Sequence, residues 1–191
     1  MGLDIFIGVN NREEVYTPEY HLEENDYYRK HRLSRTFCNF ICRKGVVEGE
    51  PELDQIGKLT GIDITPLYNM EKYWDEENAE MQLSTATSDE ERKQSLERIT
   101  RDNQSLSGNI DKVLHTVNLL IENLSLIPDL SSRLSDNGFD TLGNANYFSD
   151  FTKDKGEGYI GNNFGQDLRN FKRFLEFAKE RGTSTVYFVY G

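Results

Sequence analysis

Residues 109–127 read NIDKVLHTVNLLIENLSLI, which is the longest run of regularly spaced apolar residues in the chain. Its apolar side chains recur at three- and four-residue spacing, so they fall on one face of a helix. They are Ile110, Val113, Leu114, Val117, Leu120, Ile121 and Leu124. Because a face of this kind is buried to form a core, the stretch predicts a long central helix against which the rest of the chain packs.

The two ends of the chain predict β-strands. Residues 3–9 (LDIFIGV) and 183–190 (TSTVYFVY) are rich in β-branched and aromatic side chains. Since strands need hydrogen-bonded neighbours, we expect the two to pair in one small sheet with helices packed on a face. Residues 3–9 are apolar at nearly every position, which favours a central strand over an edge strand.

Apolar spacing also predicts helices before and after the central one. One spans residues 32–43 and ends near Gly45, a short one lies between Pro51 and Gly61, and the last spans residues 166–181 and ends at Gly182. The predicted fold is therefore α+β and helix-rich, in a single domain of residues 1–191.

Residues 75–108 are rich in polar side chains and predict a helical excursion from this domain. Ser88 and Glu91 have the spacing of a capping box, and Leu96 and Ile99 are the strong core-facing residues that follow. We expect this helix and the central helix to form an antiparallel hairpin, with Leu96 and Ile99 packed on the central apolar stripe.

Charge and hydropathy exclude several classes of protein. A formal net charge of −11 disfavours general binding to nucleic acid and to anionic membranes. No apolar run approaches the ~20 residues of a membrane span. The N-terminal residues have the pattern of neither a secretion signal nor a myristoylation motif. We therefore expect a cytoplasmic protein without membrane contact.

Motifs for metal and cofactor binding are weak. Cys38 and Cys42 lie four residues apart in a predicted helix, where their side chains fit a disulfide poorly and lack the further ligands of a metal site. Residues 156–161 formally match G-x-G-x-x-G, but a charged segment precedes them instead of the strand that a dinucleotide site requires. We expect reduced thiols, a turn at residues 136–138, a surface loop over 139–165, and neither metal nor cofactor.

The clearest candidate for a binding site is a segment rich in tyrosine and basic residues. Its candidate ligand-binding residues are Tyr27, Tyr28, Arg29, His31, Arg32 and Arg35. Arginine suits bidentate recognition of phosphate, and histidine titrates near neutral pH. The plain alternative is a solvated face that pairs with the acidic stretch of residues 45–80. Because the predicted helix begins at Arg32, cations at its start would oppose the helix dipole and need compensation.

Three features resemble a loose group of small uncharacterised bacterial and phage proteins. They are the opening Met1-Gly2-Leu3-Asp4, the element Tyr27-Tyr28-Arg29-Lys30, and an aromatic, glycine-rich loop leading to Asp167-Leu168. The group carries tryptophan at the position of Tyr28. The resemblance covers the two ends of the chain and leaves the helical middle unmatched. It implies a bacterial or phage setting and no known activity, so it assigns no site residue.

These features allow three hypotheses for function. The first is a non-enzymatic interaction or regulatory protein that binds a protein partner or a second copy of itself. It is favoured because no pair of nucleophile and base, metal cluster or phosphate loop stands out. The second is an enzyme or binding protein for an anionic, phosphate-bearing ligand held by the basic segment. The third is an acidic mimic of nucleic acid.

Overall fold

The computed structural model describes residues 4–135, 144–156, 158 and 160–191. Along these residues the elements are β1 (Ile5–Val9), α1 (Arg12–Val15), α2 (Tyr27–His31), α3 (Arg35–Ile41), α4 (Glu52–Thr60), α5 (Thr65–Asn69), α6 (Glu76–Ser84), α7 (Asp89–Leu106), α8 (Ile110–Leu124), α9 (Leu130–Arg133), α10 (Asn144–Tyr147), α11 (Phe164–Glu180) and β2 (Val186–Tyr190). Short 3-10 turns lie at Pro18–His21 and Met70–Lys72. The predicted helix-rich α+β class is confirmed. The predicted turn at 136–138 and part of the 139–165 loop lie outside the described residues. In the described part the expected surface loop is wrong, because α10 lies within it and Tyr147, Phe148 and Phe151 are buried in the core.

The predicted pairing of the terminal strands is confirmed. β1 and β2 are antiparallel, with Ile5 opposite Tyr190 and Val9 opposite Val186. The prediction of a central strand at 3–9 is wrong, because the described residues form a sheet of two strands. Strand side chains alternate between two faces, so Ile5, Ile7 and Val9 enter the core whereas Phe6 is 48% exposed on the other face.

The central helix α8 buries most of the predicted stripe: Val113, Val117, Leu120 and Leu124 are fully buried, whereas Leu114 and Ile121 are partly buried. Its main packing partner is α11, which buries a stripe of its own. That stripe contains Leu168, Phe171, Phe174, Leu175 and Ala178. The expected hairpin partner was α7, and this part of the prediction is wrong because Leu96 of α7 is 53% exposed. The start of α8 is instead fixed to β2, where the Asn109 amide bonds both the N–H and the C=O of Val186 at 2.8 Å.

The prediction of one helix from residue 32 to 43 is wrong at its start: the helix is α3 (Arg35–Ile41), and an extended linker of residues 32–34 joins it to the separate short helix α2. Ser34 ends the linker as the N-cap of α3, and its hydroxyl accepts from the N–H of Phe37 at 3.2 Å. The same residue donates its own N–H to Asp167 of α11, which holds it outside a helical conformation. Arg29 and Lys30 therefore lie in the last turn of α2, where the helix dipole favours cations, and not at the start of a helix, where it would oppose them.

The excursion consists of α6 and α7, which pack against each other and are called the arm below. The predicted cap is confirmed, since the Ser88 hydroxyl accepts from the N–H of Glu91. The arm joins the rest of the chain, called the body, at Trp74. The indole N–H of Trp74 donates to Asp102 at 3.1 Å, and its main chain exchanges two hydrogen bonds of 2.8 Å with the Asn103 amide. At the base of α7, the side chains of Ile99 and Leu106 are buried.

Candidate binding cleft

An open cleft with a volume of about 1320 Å³ lies between the body and the base of the arm. Its floor is the outer face of the sheet, and its two walls are the segment around α2 and the first turn of α6. The sheet, the basic segment and the arm come from distant parts of the sequence. The cleft therefore exists only because β1 pairs with β2 and because Trp74 holds the arm.

The floor is aromatic. Gly8 leaves room for the Tyr187 ring, because a Cβ atom at Gly8 would lie 2.1 Å from a carbon of that ring. The ring of Tyr73 stacks on Tyr187 with 3.7 Å between centroids and 15° between planes. Phe6 and Val189 complete the floor beside this stacked pair. Since Phe6 is half exposed, the floor presents an uncovered apolar surface.

Tyr28, Arg32 and Arg35 line the cleft near Asp4 and are called the basic wall below, and Arg12 also lines the cleft. The Nε of Arg35 lies 2.7 Å from a carboxylate oxygen of Asp4, and this hydrogen bond holds the pKa of Asp4 below its usual value. The guanidinium carbon of Arg32 lies 6.0 Å from the centre of the Tyr28 ring. Arg12, Arg32 and Arg35 are all exposed residues.

Three aromatic residues with little exposure also line the cleft: Tyr20 and His31 are buried, and Tyr16 is partly buried. The hydroxyl of Tyr16 donates to the carbonyl of Ile7, and the Tyr20 hydroxyl lies 3.1 Å from Nδ1 of His31. Burial, and then the charges of Arg173 and Lys30 among others, lower the pKa of His31 to about 4. His31 is therefore neutral at pH 7 and adds no positive charge to the cleft.

Three acidic residues at the start of α6, called the acidic wall below, also line the cleft: Asp75, Glu76 and Glu77. Asp75 is the N-cap of α6, and its carboxylate accepts from the N–H of Asn78 at 2.8 Å. Glu76 and Glu77 are exposed in the first turn of α6. Carboxylates there also stabilise the helix through its dipole.

Four of the six predicted ligand-binding residues line the cleft, namely Tyr28, His31, Arg32 and Arg35. Two do not. Tyr27 stacks on His31 with 5.9 Å between ring centroids, and Arg29 pairs with Asp26 at 2.9 Å. The 139–165 loop reaches this region, because Asn162 lines the cleft. A Cβ atom built on Gly158 would lie 3.2 Å from Nε of Arg29.

Sequence reasoning missed the floor and the acidic wall as parts of a site. The signal for Phe6 was the alternation of side chains along β1, which puts Phe6 and Gly8 on the face opposite Ile5, Ile7 and Val9. The small residue Gly8 suggests that this second face is not packed into the core. For Tyr73, Trp74 and Glu76, local sequence offers no comparable signal. Their position follows from the bonds between Trp74 and the base of α7.

A buried carboxylate supports the basic wall from below. Asp167 accepts hydrogen bonds from the N–H of Ser34 at 2.8 Å, from its hydroxyl at 2.6 Å and from the Tyr147 hydroxyl at 2.9 Å. Burial raises the pKa of Asp167 to about 7, although these hydrogen bonds oppose the rise. Ser34 directly follows the linker that carries Arg32, so the network fixes where the basic wall lies.

Within the described part of the chain, no three histidine, cysteine, aspartate or glutamate side chains gather in a way that could hold a metal ion. Among the same residues, no helix combines the length and the apolar character needed to cross a membrane. Comparisons with protein-family models, with curated proteins and with solved structures found no match.

Proposed function

We propose that this protein is a non-enzymatic, cytoplasmic interaction protein whose cleft receives a segment of a partner polypeptide. The observation that carries the proposal is the open cleft itself, with the half-exposed rings of Phe6 and Tyr28 on its surface. Exposed aromatic side chains in a concave surface are the usual anchors of protein interfaces. A volume of about 1320 Å³ exceeds the ~300–1000 Å³ of typical small-molecule pockets, which favours a polypeptide segment.

The state of the cations supports a polypeptide over a phosphate-bearing ligand. Arg35 is neutralised by Asp4, Arg29 pairs with Asp26 outside the cleft, and His31 is uncharged at neutral pH. A phosphate site gathers several donors on one anion, whereas these groups are divided among separate partners. The acidic nucleic-acid mimic stays a prediction from the net charge, and the basic wall argues against the cleft as its surface.

Selection from a random peptide library, displayed on phage, tests the proposal without knowledge of the natural partner. The variants are Phe6→Ala in the floor and, as a matched control, Leu126→Ala, which removes a side chain that is 81% exposed elsewhere. Enriched peptides should bind the wild type and the control equally and lose affinity about tenfold or more on Phe6→Ala, the usual effect of removing an interface anchor.

Two results would contradict the proposal. One is a library that yields no enriched peptide above the background of an unrelated protein. The other is a set of enriched peptides that bind the Phe6→Ala variant as tightly as the wild type. Equal melting temperatures of the variants ensure that any lost affinity reflects a lost contact.

A further inference from the structure

The cleft extends around the outer edge of β1, the side of this strand that faces away from β2. Every residue of β1 lines the cleft, whereas β2, which the structure describes in full, contributes Tyr187 and Val189 on the outer face of the sheet. Ile5, Ile7 and Val9 line the cleft although their side chains are buried in the core. It is therefore the main chain of these three residues that borders the cleft.

Antiparallel pairing determines which main-chain groups of β1 point to that edge. Asp4 and Gly191 exchange two main-chain hydrogen bonds, of 2.9 and 3.1 Å. Hydrogen-bonded pairs recur at every second residue of an antiparallel ladder, so in the observed register Phe6 and Gly8 direct their N–H and C=O groups to β2. The other three residues of β1 direct theirs away from β2. They are Ile5, Ile7 and Val9.

Most of these outward groups have no hydrogen-bond partner among the residues that the structure describes. The exception is the carbonyl of Ile7, which accepts from the Tyr16 hydroxyl and, with two lone pairs, can accept a second bond. The far edge of β2 is covered instead, because Asn109 bonds both the N–H and the C=O of Val186 and the turn at Met70–Lys72 packs on this strand. The sheet thus has one open edge, and that edge borders the cleft.

The position of the open edge favours an extended segment over a folded partner. Unpaired main-chain groups of an edge strand are a template for another strand, and a sheet of two strands is marginal by itself. A second copy of the chain would carry its own β1 edge inside a cleft, so two such edges cannot meet without a clash of the surrounding residues. A single extended segment is narrow enough to lie along the edge.

From this arrangement we propose that the partner segment binds as a third β-strand, hydrogen-bonded through its main chain to Ile5, Ile7 and Val9. This inference rests on the proposed function and specifies how the segment binds. Side chains of the added strand alternate between the two faces of the sheet. Those on the outer face lie beside Phe6, which is 48% exposed, so an apolar side chain at that position gains a cross-strand contact. Main-chain bonds then supply affinity, and the apolar contact supplies selectivity.

Methylation of the peptide main chain tests the inference. The probe is a peptide enriched by library selection on the wild-type protein, synthesised with a single N-methyl group at each position in turn. Each methyl group removes one N–H donor and leaves the side chain in place. The N–H groups of a strand point alternately to its two edges. Methylation at every second position should therefore weaken binding about tenfold or more, the effect of a carbonyl left without its donor, and at the positions between by less than about threefold.

Amide hydrogen exchange, followed by NMR, locates the bound peptide on the protein. In the free protein the N–H groups of Ile5, Ile7 and Val9 should exchange about tenfold or more faster than those of Phe6 and Gly8, which donate to β2. Saturating peptide should remove this difference by slowing the three edge amides. Phe6 and Gly8 serve as the matched control, because they belong to the same strand and differ in the direction of their N–H groups.

Failure of this inference differs from failure of the proposed function. Suppose that peptides lose affinity on Phe6→Ala. Methylation effects without a two-residue period, or edge amides whose exchange the peptide leaves unchanged, would each show that the cleft binds polypeptide in another way and that the third strand is wrong. Edge amides that are already as slow as those of Gly8 in the free protein would also overturn it, whether a dimer or the chain itself covers the edge. If no peptide depends on Phe6, the proposed function itself fails.

Discussion

At the scale of single residues, burial and hydrogen bonding act in opposite directions on the pKa of Asp167. Its carboxylate is buried beneath Ser34 and receives three hydrogen bonds, all of which favour the ionised form. Removal from water favours the neutral form, and it prevails, since the pKa is raised to about 7. The protein therefore holds a carboxyl group that titrates near neutral pH at the joint between α11 and the basic wall.

This raised pKa predicts a pH dependence of stability with a definite sign. Between the pKa of an unfolded aspartate, ~3.9, and the folded value of about 7, the folded chain binds more protons than the unfolded chain. The stability contribution of Asp167 is therefore fully present below pH ~4 and is lost as pH rises through 7, by up to ~1.4 kcal/mol per pH unit. Urea denaturation at several pH values measures it.

The Asp167→Asn variant is the reference for this measurement, because its amide does not titrate. The free energy of unfolding of the wild type minus that of the variant should fall steadily from pH 4 to pH 7. A difference that stays constant over this range would show that Asp167 keeps an ordinary pKa in the folded protein.

A second residue-scale prediction concerns the buried ion pair between Arg43 and Glu52. Their side chains lie 2.7 Å apart and are almost completely buried. Glu52 belongs to the acidic stretch of residues 45–80, so this stretch pairs with a basic residue in the interior of the protein. Removing one partner leaves a buried charge, so Glu52→Ala should lower the free energy of unfolding by about 3–5 kcal/mol.

The exposed pair of Lys58 with Glu50 provides the control, because its lysine side chain is 75% exposed. Lys58→Ala should change stability by no more than about 1 kcal/mol, as exposed pairs contribute little. Similar effects of the two substitutions in chemical denaturation would contradict the importance given to burial.

At the scale of elements, the packing of α8 on α11 forms the centre of the core. Leu120 is fully buried on α8, so Leu120→Ala should destabilise the protein by about 2–5 kcal/mol through lost burial and a remaining cavity. Leu126→Ala, at a largely exposed position just beyond the helix, should change stability by less than about 0.5 kcal/mol. Guanidinium denaturation of both variants decides whether this face is core.

Residues 32–34 are extended and α3 begins only after the Ser34 cap, which changes the electrostatic role of the charged residues before it. With a continuous helix, the cations near Arg32 would oppose the dipole and require an anionic partner for compensation. With Ser34 as the cap of α3 and Arg29 at the end of α2, helix electrostatics no longer demand such a partner. Arg32 remains a candidate binding residue because it lines the cleft.

At the scale of the whole molecule, the arm and the body meet through few contacts. The contacts at the base involve Trp74, Ile99, Asp102 and Asn103, whereas residues 82–95 contain no buried side chain. Replacing residues 82–95 by a short glycine and serine linker should therefore keep a cooperative thermal transition. Extending the deletion to Asn103 should lower the melting temperature, because it removes the partners of Trp74.

The overall charge of the molecule adds a long-range term to the proposed interaction. With a net charge of −11, the protein attracts a positively charged partner at low salt, and this attraction weakens as salt rises, because screening limits its range to ~10 Å at 0.1 M. The basic wall then acts only at contact.

The sequence by itself determined the elements whose apolar spacing is strong. The stripes of α8 and α11, the strands at both ends, the Ser88 cap and the Gly61 end of α4 all follow from local patterns. Each depends on interactions within a few residues, such as helical periodicity or a cap, and so can be derived without knowledge of the fold. The basic segment stood out for the same reason, through its local composition.

The tertiary structure alone decided which elements meet. Pairing of α8 with α11, the break at Ser34 and the cleft itself depend on contacts between residues far apart in the chain, such as Ser34 with Asp167 and Trp74 with Asn103. Periodicity tells which face of an element is buried but not against what, because every apolar face is an acceptable partner for any other. Specific hydrogen bonds to buried polar groups such as Asp167 and Asn109 select among these pairings, and they become visible only when the chain is folded.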